Sequence, residues 1–523
     1  MSQVEAAPRR SVLQKVLDGI EVAGNKVPHP VIIFLILIAF IMVLSAVFQA
    51  MGSTVTFEQA QIGAEEPITV TVAAQSLLDA DGLRFVFTSP VANFNNFGVV
   101  GVIVVAMIGV GMAEEVGLIS SFIKRLVKIA PPRAITFIIV LLGVLSSIAT
   151  DAGYLVLIPL AAAVFLSLGR HPLAGLAAAF AGVGGGFAVN MLITPVDGML
   201  AEITNEAIAD PANHVSITGN LYFGIVSTLL VTVVVTLLTE KFVEPRLGAY
   251  HPSEGPSDVS DEAPSGELSD EEKKGLRYAF WGSLGTTVVV LALSLPPNAL
   301  LRNPETGSLI EDSPLLNSII FLILVYFFVM GLCYGKGAGT VKSSMDVINP
   351  MTKTIANLSG LIFLLLVISQ FIAYFNYSNL GTIAAVGMAD ALEAANLSTV
   401  WLILGLIAMT AVIDIFIGGV VPKWAIFAPV FVPLFIQLGI SPDLAMAAYR
   451  VGDSPVNVAT PLMPYFALIV IFAERYRRKV GVGSVISLML PYTVVLLITW
   501  SALLVVWYLL GIPLGPGASI YLN

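Results

Sequence analysis

Cysteine, histidine and charge are all scarce in this chain. Its 523 residues include one cysteine, four histidines and only 11% Asp, Glu, Lys and Arg. A lone Cys333 excludes an intramolecular disulfide and argues against a cysteine-rich metal site. His29, His171, His214 and His251 are scattered and form no ligand pair at helical spacing. A soluble protein of this length carries charge on roughly a quarter of its residues, so a soluble globular class is excluded. No basic patch interleaved with aromatics points to nucleic acid. What is abundant is apolar sequence, 57% of the chain, giving a mean hydropathy of +0.91. Several runs reach the ~20 apolar residues that span hydrocarbon. The chain therefore reads as an all-α integral membrane protein. Its net charge of −10 resides mostly in loops and says little about partners. The polar segment 1–30 lacks an early apolar core with a cleavage site. It reads as a cytoplasmic N-terminal segment before an uncleaved anchor.

Runs able to cross the membrane begin near Val31, Val99, Leu173, Tyr222, Tyr278, Leu315, Ile355, Leu444 and Val485, which predicts nine transmembrane helices. Two further apolar stretches, 134–169 and 399–439, are too long for one crossing. They are interrupted at "LSSIATDAGY" (Leu145 to Tyr154) and "DIFIGGVVPKW" (Asp414 to Trp424). Each reads either as two short spans or as a re-entrant hairpin, and the short arms with polar or glycine-rich tips favour hairpins. With the N-terminus cytoplasmic, only Arg84 and Arg302 among the basic residues face outward, and the C-terminus is periplasmic. The expected organisation is a first half at 31–240, containing hairpin 134–169 and a broken helix at 173–201. A cytoplasmic linker at 241–277, rich in Pro, Ser, Asp and Glu, leads to a second half at 278–523, with hairpin 399–439 and a broken helix at 443–472. "LISSFIKRLVKIAPP" (Leu118 to Pro132) is basic and amphipathic, suited to the inner membrane surface.

The two hairpins enter from opposite faces, which suggests an inverted repeat. An offset of 270 pairs Pro159 with Pro429, Gly169 with Gly439, Pro172 with Pro442 and Gly182 with Gly452. "VNMLITP" (Val189 to Pro195) answers "VNVATP" (Val456 to Pro461) with a slipped register. Inverted repeats with matched broken helices mark secondary transporters.

Helix breaks at membrane depth leave peptide groups unpaired, at several kcal/mol each, unless protein, ion or water satisfies them. Breaks are expected near Gly184 to Asn190 and near Asp453 to Asn457, around Gly452 and Pro455. Oxygens of Asn190, Thr194, Ser454, Asn457 and Thr460 are hard ligands suited to a possible Na⁺ ion; the plainer reading is that they recap broken helices. Arg450, Asp453, Lys423, Asp414, Asp151 and Asp197 put ionisable groups in or beside the breaks, so pairing or a watery cavity is expected. Arg450 and Asp453 fall on one helical face, as an ion pair or as groups that exchange partners during transport. Trp424, at the second hairpin's tip, is a candidate to stack on an aromatic ligand.

The stretches "KWAIFAPVFVP", "AAYRVGDS", "SLGRHPLAGLAAAFAGV" and "GIPLGPGA" resemble the p-aminobenzoyl-glutamate transporter (AbgT) family over nearly the whole chain. The resemblance implies a bowl-shaped homodimer in the bacterial inner membrane, with nine spans and two hairpins per protomer. It also implies a scaffold domain and a core domain. The implied activity is ion-coupled movement of p-aminobenzoyl-glutamate or p-aminobenzoate-type compounds, with export of sulfonamide antimetabolites by some members. Family positions tied to substrate match Asp197, Trp424, Pro442, Arg450, Asp453 and Pro461, with Lys423 an added candidate for a carboxylate. A serine-type position in the family is Val421 here. A sodium-coupled dicarboxylate transporter of the same plan remains the alternative. A channel and an intramembrane enzyme fit less well: hairpins occlude, and no zinc-protease motif or serine–histidine pair lies at membrane depth.

Overall fold

The computed structural model describes residues 28–59, 68–148, 153–251, 254–255, 267–309, 313–395, 398–478 and 480–522. Among the described residues, seven unbroken helices are long and apolar enough to cross a membrane: Pro30–Ala50, Leu221–Leu247, Asp270–Ser294, Ile319–Ala338, Met345–Tyr377, Val482–Leu509 and Val420–Gln437, the last of which belongs to the second hairpin. Val99–Glu115 makes a further span, preceded by Pro90–Asn96 at a 46° bend. Two broken helices complete the set. The first runs Pro172–Val183, breaks, and resumes as Pro195–Glu206. The second runs Pro442–Asp453, passes through a 3-10 turn at Ser454–Val456, and resumes as Phe466–Glu474.

The interrupted stretches fold as hairpins. In the first, the α-helical parts Ile135–Leu145 and Ile158–Ser167 are extended toward the tip by the 3-10 turn Ser146–Ile148 and the π turn Gly153–Leu157. At ~1.5 Å per residue each arm is about 21 Å long, short of the ~30 Å bilayer core. The arms of the second, Thr399–Asp414 and Val420–Gln437, are longer, and Val420–Gln437 alone has a span's length. Its tip still stops at the second break, where Gly418 lies beside the Leu462 carbonyl. The basic helix Leu118–Ile129 meets the first hairpin at a 116° bend, and Lys124 reaches Glu272 at 2.9 Å. Thr54–Gln59 and Ile68–Ala73 form an antiparallel strand pair. Asp151 lies outside the described residues.

The offset of 270 is a structural identity as well as a sequence pattern. Pro172 and Pro442 both open helices, where their missing N–H costs nothing. The preceding His171 Nδ1 and Ser441 Oγ accept from the N–H of Leu173 and Asp443 respectively. Both hairpins close on a left-handed glycine, Gly169 (φ 71°) and Gly439 (φ 69°). Asn190 Nδ2 donates to the Leu145 carbonyl (3.2 Å) and its Oδ1 accepts from the Leu192 N–H (3.0 Å). Thr460 Oγ1 donates to the Ile415 carbonyl (3.2 Å) and accepts from the Leu462 N–H (3.3 Å). All three residues of each set are 270 apart. The slipped register is therefore corrected: Asn190 answers Thr460, because each ties its break to the end of its own hairpin's first arm.

Gly182 and Gly452 hold the arms and broken helices in contact. A Cβ on Gly182 would lie 2.7 Å from the Val140 carbonyl, and one on Gly452 2.6 Å from the Ile407 carbonyl. Gly182→Val and Gly452→Val should each lower the melting temperature of the purified protein by several degrees, the ~1–3 kcal/mol of an overpacked contact. Unchanged melting in both would show that these two contacts do not limit the packing.

Candidate functional site where the broken helices meet

The two breaks touch at one peptide. The Ala188 N–H donates to Ser454 Oγ (3.0 Å), and the Ala188 carbonyl accepts from Arg450 Nη1 (2.7 Å). A backbone group of one repeat is thus satisfied by side chains of the other. The same Nη1 lies 2.6 Å from Asp197 Oδ1. Asp197 Oδ2 accepts from the N–H and hydroxyl of Thr194, both at 2.7 Å, which fixes the carboxylate at the first turn of the resumed helix. Arg450 and Asp453 do not pair with each other as one helical face suggested. Arg450 crosses to the first broken helix, while Asp453 faces the second hairpin.

A second cluster sits under the second hairpin. Lys423 forms ion pairs with Asp414 and, at 2.7 Å, with Asp453 Oδ1; all three side chains are fully buried. Asp414 Oδ2 and Asp453 Oδ2 have no hydrogen-bond donor among the described residues. The Tyr449 hydroxyl touches the Val420 carbonyl and lies 3.0 Å from Asp453 Oδ1. With both carboxylates ionised, the cluster carries a formal charge of −1. The positions 270 earlier are Val144, Gly153 and Val183, and a Cβ on Gly153 would lie 2.9 Å from Val183. One repeat is apolar where the other is ionic.

Trp424 is fully buried. Its ring packs on Tyr449 at 4.8 Å, and its Nε1 donates to Thr204 Oγ1 at 3.0 Å. In this conformation the indole locks the second hairpin to the first broken helix and offers no open face. Lys423 likewise faces two carboxylates rather than a ligand. Four of the five oxygen-bearing residues, Asn190, Thr194, Ser454 and Thr460, cap broken backbone or a neighbouring carboxylate. Asn457 makes no side-chain hydrogen bond among the described residues. Pro442 starts its helix and Pro461 lies half-buried in the break.

Two openings flank the junction. Beside Arg450, a cleft lined by Asn190, Asp197, Asn220 and Phe223 has about 10 Å³ of room, the space of one water. Asn220 was not legible as a site residue; its Nδ2 donates to the Asp443 carbonyl (3.1 Å), and its buried Oδ1 is unpartnered. The larger opening, about 430 Å³, lies between the hairpin ends and the helices Val99–Glu115 and Met345–Tyr377. Ser147, Phe187, Gly418 and Val421 contribute to it, with Met107 and Leu361 opposite. Its volume and apolar lining suit a small aromatic molecule.

Arg450→Ala should destabilise by about 3 kcal/mol, the lower end of the range for a broken buried pair, because Asp197, 17% exposed, would keep its charge without its partner. Adding Asp197→Ala should recover part of that loss. Thermal unfolding of the two single variants and the double variant in detergent reads the coupling; strictly additive losses would show that the pair is not energetically linked.

The sequence profile of the AbgT transporter family (ABG_transport) matches residues 15–522. The p-aminobenzoyl-glutamate transport protein of Escherichia coli (strain K12) is 35% identical over 517 residues, covering 98% of each chain. The Alcanivorax borkumensis YdaH transporter superposes with a TM-score of 0.85 at 42% identity, covering 94% of this chain and 100% of that one. Neisseria gonorrhoeae MtrF, described within a class of antimetabolite efflux pumps, gives a TM-score of 0.88 at 39% identity, covering 96% and 100%. Profile, relative and fold agree along nearly the full length, and the chain belongs to the AbgT transporter family.

Proposed function

We propose that this transporter moves p-aminobenzoyl-glutamate or p-aminobenzoate-type aromatic acids, sulfonamides included, using a cation gradient across the bacterial inner membrane. The observation that carries the proposal is the junction of the two broken helices at Ala188, with Arg450 and Asp197 beside it. The apolar opening between the hairpins takes the aromatic ring. A substrate carboxylate competes with Asp197 for Arg450, so binding loosens the link between the repeats. Trp424 acts in this reading by fixing the second hairpin against Thr204.

Coupling is assigned to the ionic cluster. A charge of −1 buried beside Lys423 is costly in an apolar interior, and one H⁺ or Na⁺ neutralises it. Filling and emptying that site alternately tightens and releases the second hairpin. The protein works as a homodimer with its N-terminus cytoplasmic, the orientation that the Lys and Arg distribution supports.

The test is flux of radiolabelled p-aminobenzoyl-glutamate and p-aminobenzoate in proteoliposomes, with Na⁺ and H⁺ gradients imposed separately in both directions. Saturable transport that responds to one gradient is expected. Asp453→Asn should reduce the gradient-driven rate at least about tenfold, the equivalent of ~1.4 kcal/mol. Indifference to both gradients defeats the coupling assignment, and competition by succinate in place of aromatic acids defeats the substrate assignment.

A further inference from the structure

A third opening, remote from the junction, lies at the basic end of the molecule, where the spans Leu221–Leu247 and Val482–Leu509 diverge. It encloses about 480 Å³. Its walls are Leu173, Phe242, Val485, Leu488 and Pro491, and its rim carries Arg246, Arg477 and Arg478. Among the described residues, none that lines it is acidic. Of the carboxylates beside it, Glu244 pairs with Arg170, and Glu254 stands 4.0 Å from the rim's own Arg477.

The three arginines are differently occupied. Arg478 Nε donates to the Gly255 carbonyl at 3.0 Å, which aims the guanidinium without neutralising it. Arg477 keeps about half of its side chain exposed beside its distant partner Glu254. Arg246 is exposed and makes no ion pair or side-chain hydrogen bond among the described residues. Ser484, in the first turn of the 28-residue helix Val482–Leu509, also lines the opening, so the positive end of that helix dipole faces it. Phe242, 48% exposed, extends the apolar wall outward from the arginines.

Positive charge over an apolar floor, open toward lipid, matches an amphiphile with a phosphate headgroup and acyl chains. A small anion in water would use the arginines and leave the floor unfilled. We propose that this opening is a binding site for an anionic phospholipid of the inner leaflet, phosphate on Arg246, Arg477 and Arg478, chains along Phe242 and Leu488. Basic interhelical pockets on the cytoplasmic side are where such headgroups bind. The site stands apart from the transport junction, so its occupancy is separable from substrate recognition.

Native mass spectrometry and thermal unfolding of the full chain in detergent test the assignment, with phosphatidylglycerol, phosphatidylcholine and glycerol 3-phosphate as probes. Phosphatidylglycerol should be retained and should raise the melting temperature more than phosphatidylcholine. The Arg246→Gln variant, which breaks no contact within the described residues, should weaken retention about fivefold, and R246Q/R477Q/R478Q more. Arg246→Lys should restore most of it. Equal effects of the two lipids, or retention unchanged in Arg246→Gln and in the triple variant, would overturn the site. Equal stabilisation by glycerol 3-phosphate would assign the pocket to a soluble phosphate and overturn the lipid.

Discussion

Peptide groups have nowhere to go in hydrocarbon, and the architecture follows from where this chain sends them. Both broken helices leave N–H and carbonyl groups unpaired near mid-membrane, and water is not freely available there. The solution is reciprocal. Ala188 in the first repeat is held by Ser454 and Arg450 of the second, while Asn190 and Thr460 each close the end of their own hairpin. Neither break is complete without its partners, so the hairpins and broken helices form one interdependent core. The helices Val99–Glu115, Asp270–Ser294 and Ile319–Ala338 share a smaller cluster around Met112, Ala279 and Tyr334, and Val99, Ile103 and Val110 tie the first of them to the main core.

Much of this was legible before any coordinates. Proline, glycine and polar residues inside apolar runs are locally encoded signals, so the breaks after Val183 and Asp453 could be placed closely. Left-handed glycines and helix-opening prolines preserved the repeat at a constant offset. Partner choice was less accessible. Arg450 and Asp453 share a face of one helix, and nothing in their spacing tells that each reaches a different element. The indole of Trp424 could not be assigned to Thr204 because the two are 220 residues apart. The engagement of Ala188 is a backbone event and leaves no side-chain trace. Nor did the sequence distinguish the short arms of the first hairpin from the span-length return arm of the second.

The repeats share a backbone plan and differ in chemistry. Val144, Gly153 and Val183 stand at the positions where the other repeat has Asp414, Lys423 and Asp453, and Gly153 lies against Val183 where Lys423 pairs with Asp453. The shared backbone plan thus carries two hairpins of unlike interior, and three positions give one of them a buried charged cluster where the other is apolar.

The placement of the Lys423 cluster also limits which parts can part company. Asp414 and Lys423 stand on opposite arms of the second hairpin, and Asp453 stands on the broken helix beneath. Prising the hairpin away alone would strand an ammonium or a carboxylate against lipid, which is costly even on the lenient insertion scale, ~2.5–3.5 kcal/mol per group. With the three charges paired, the hairpin and the first segment of the broken helix are bolted into one body.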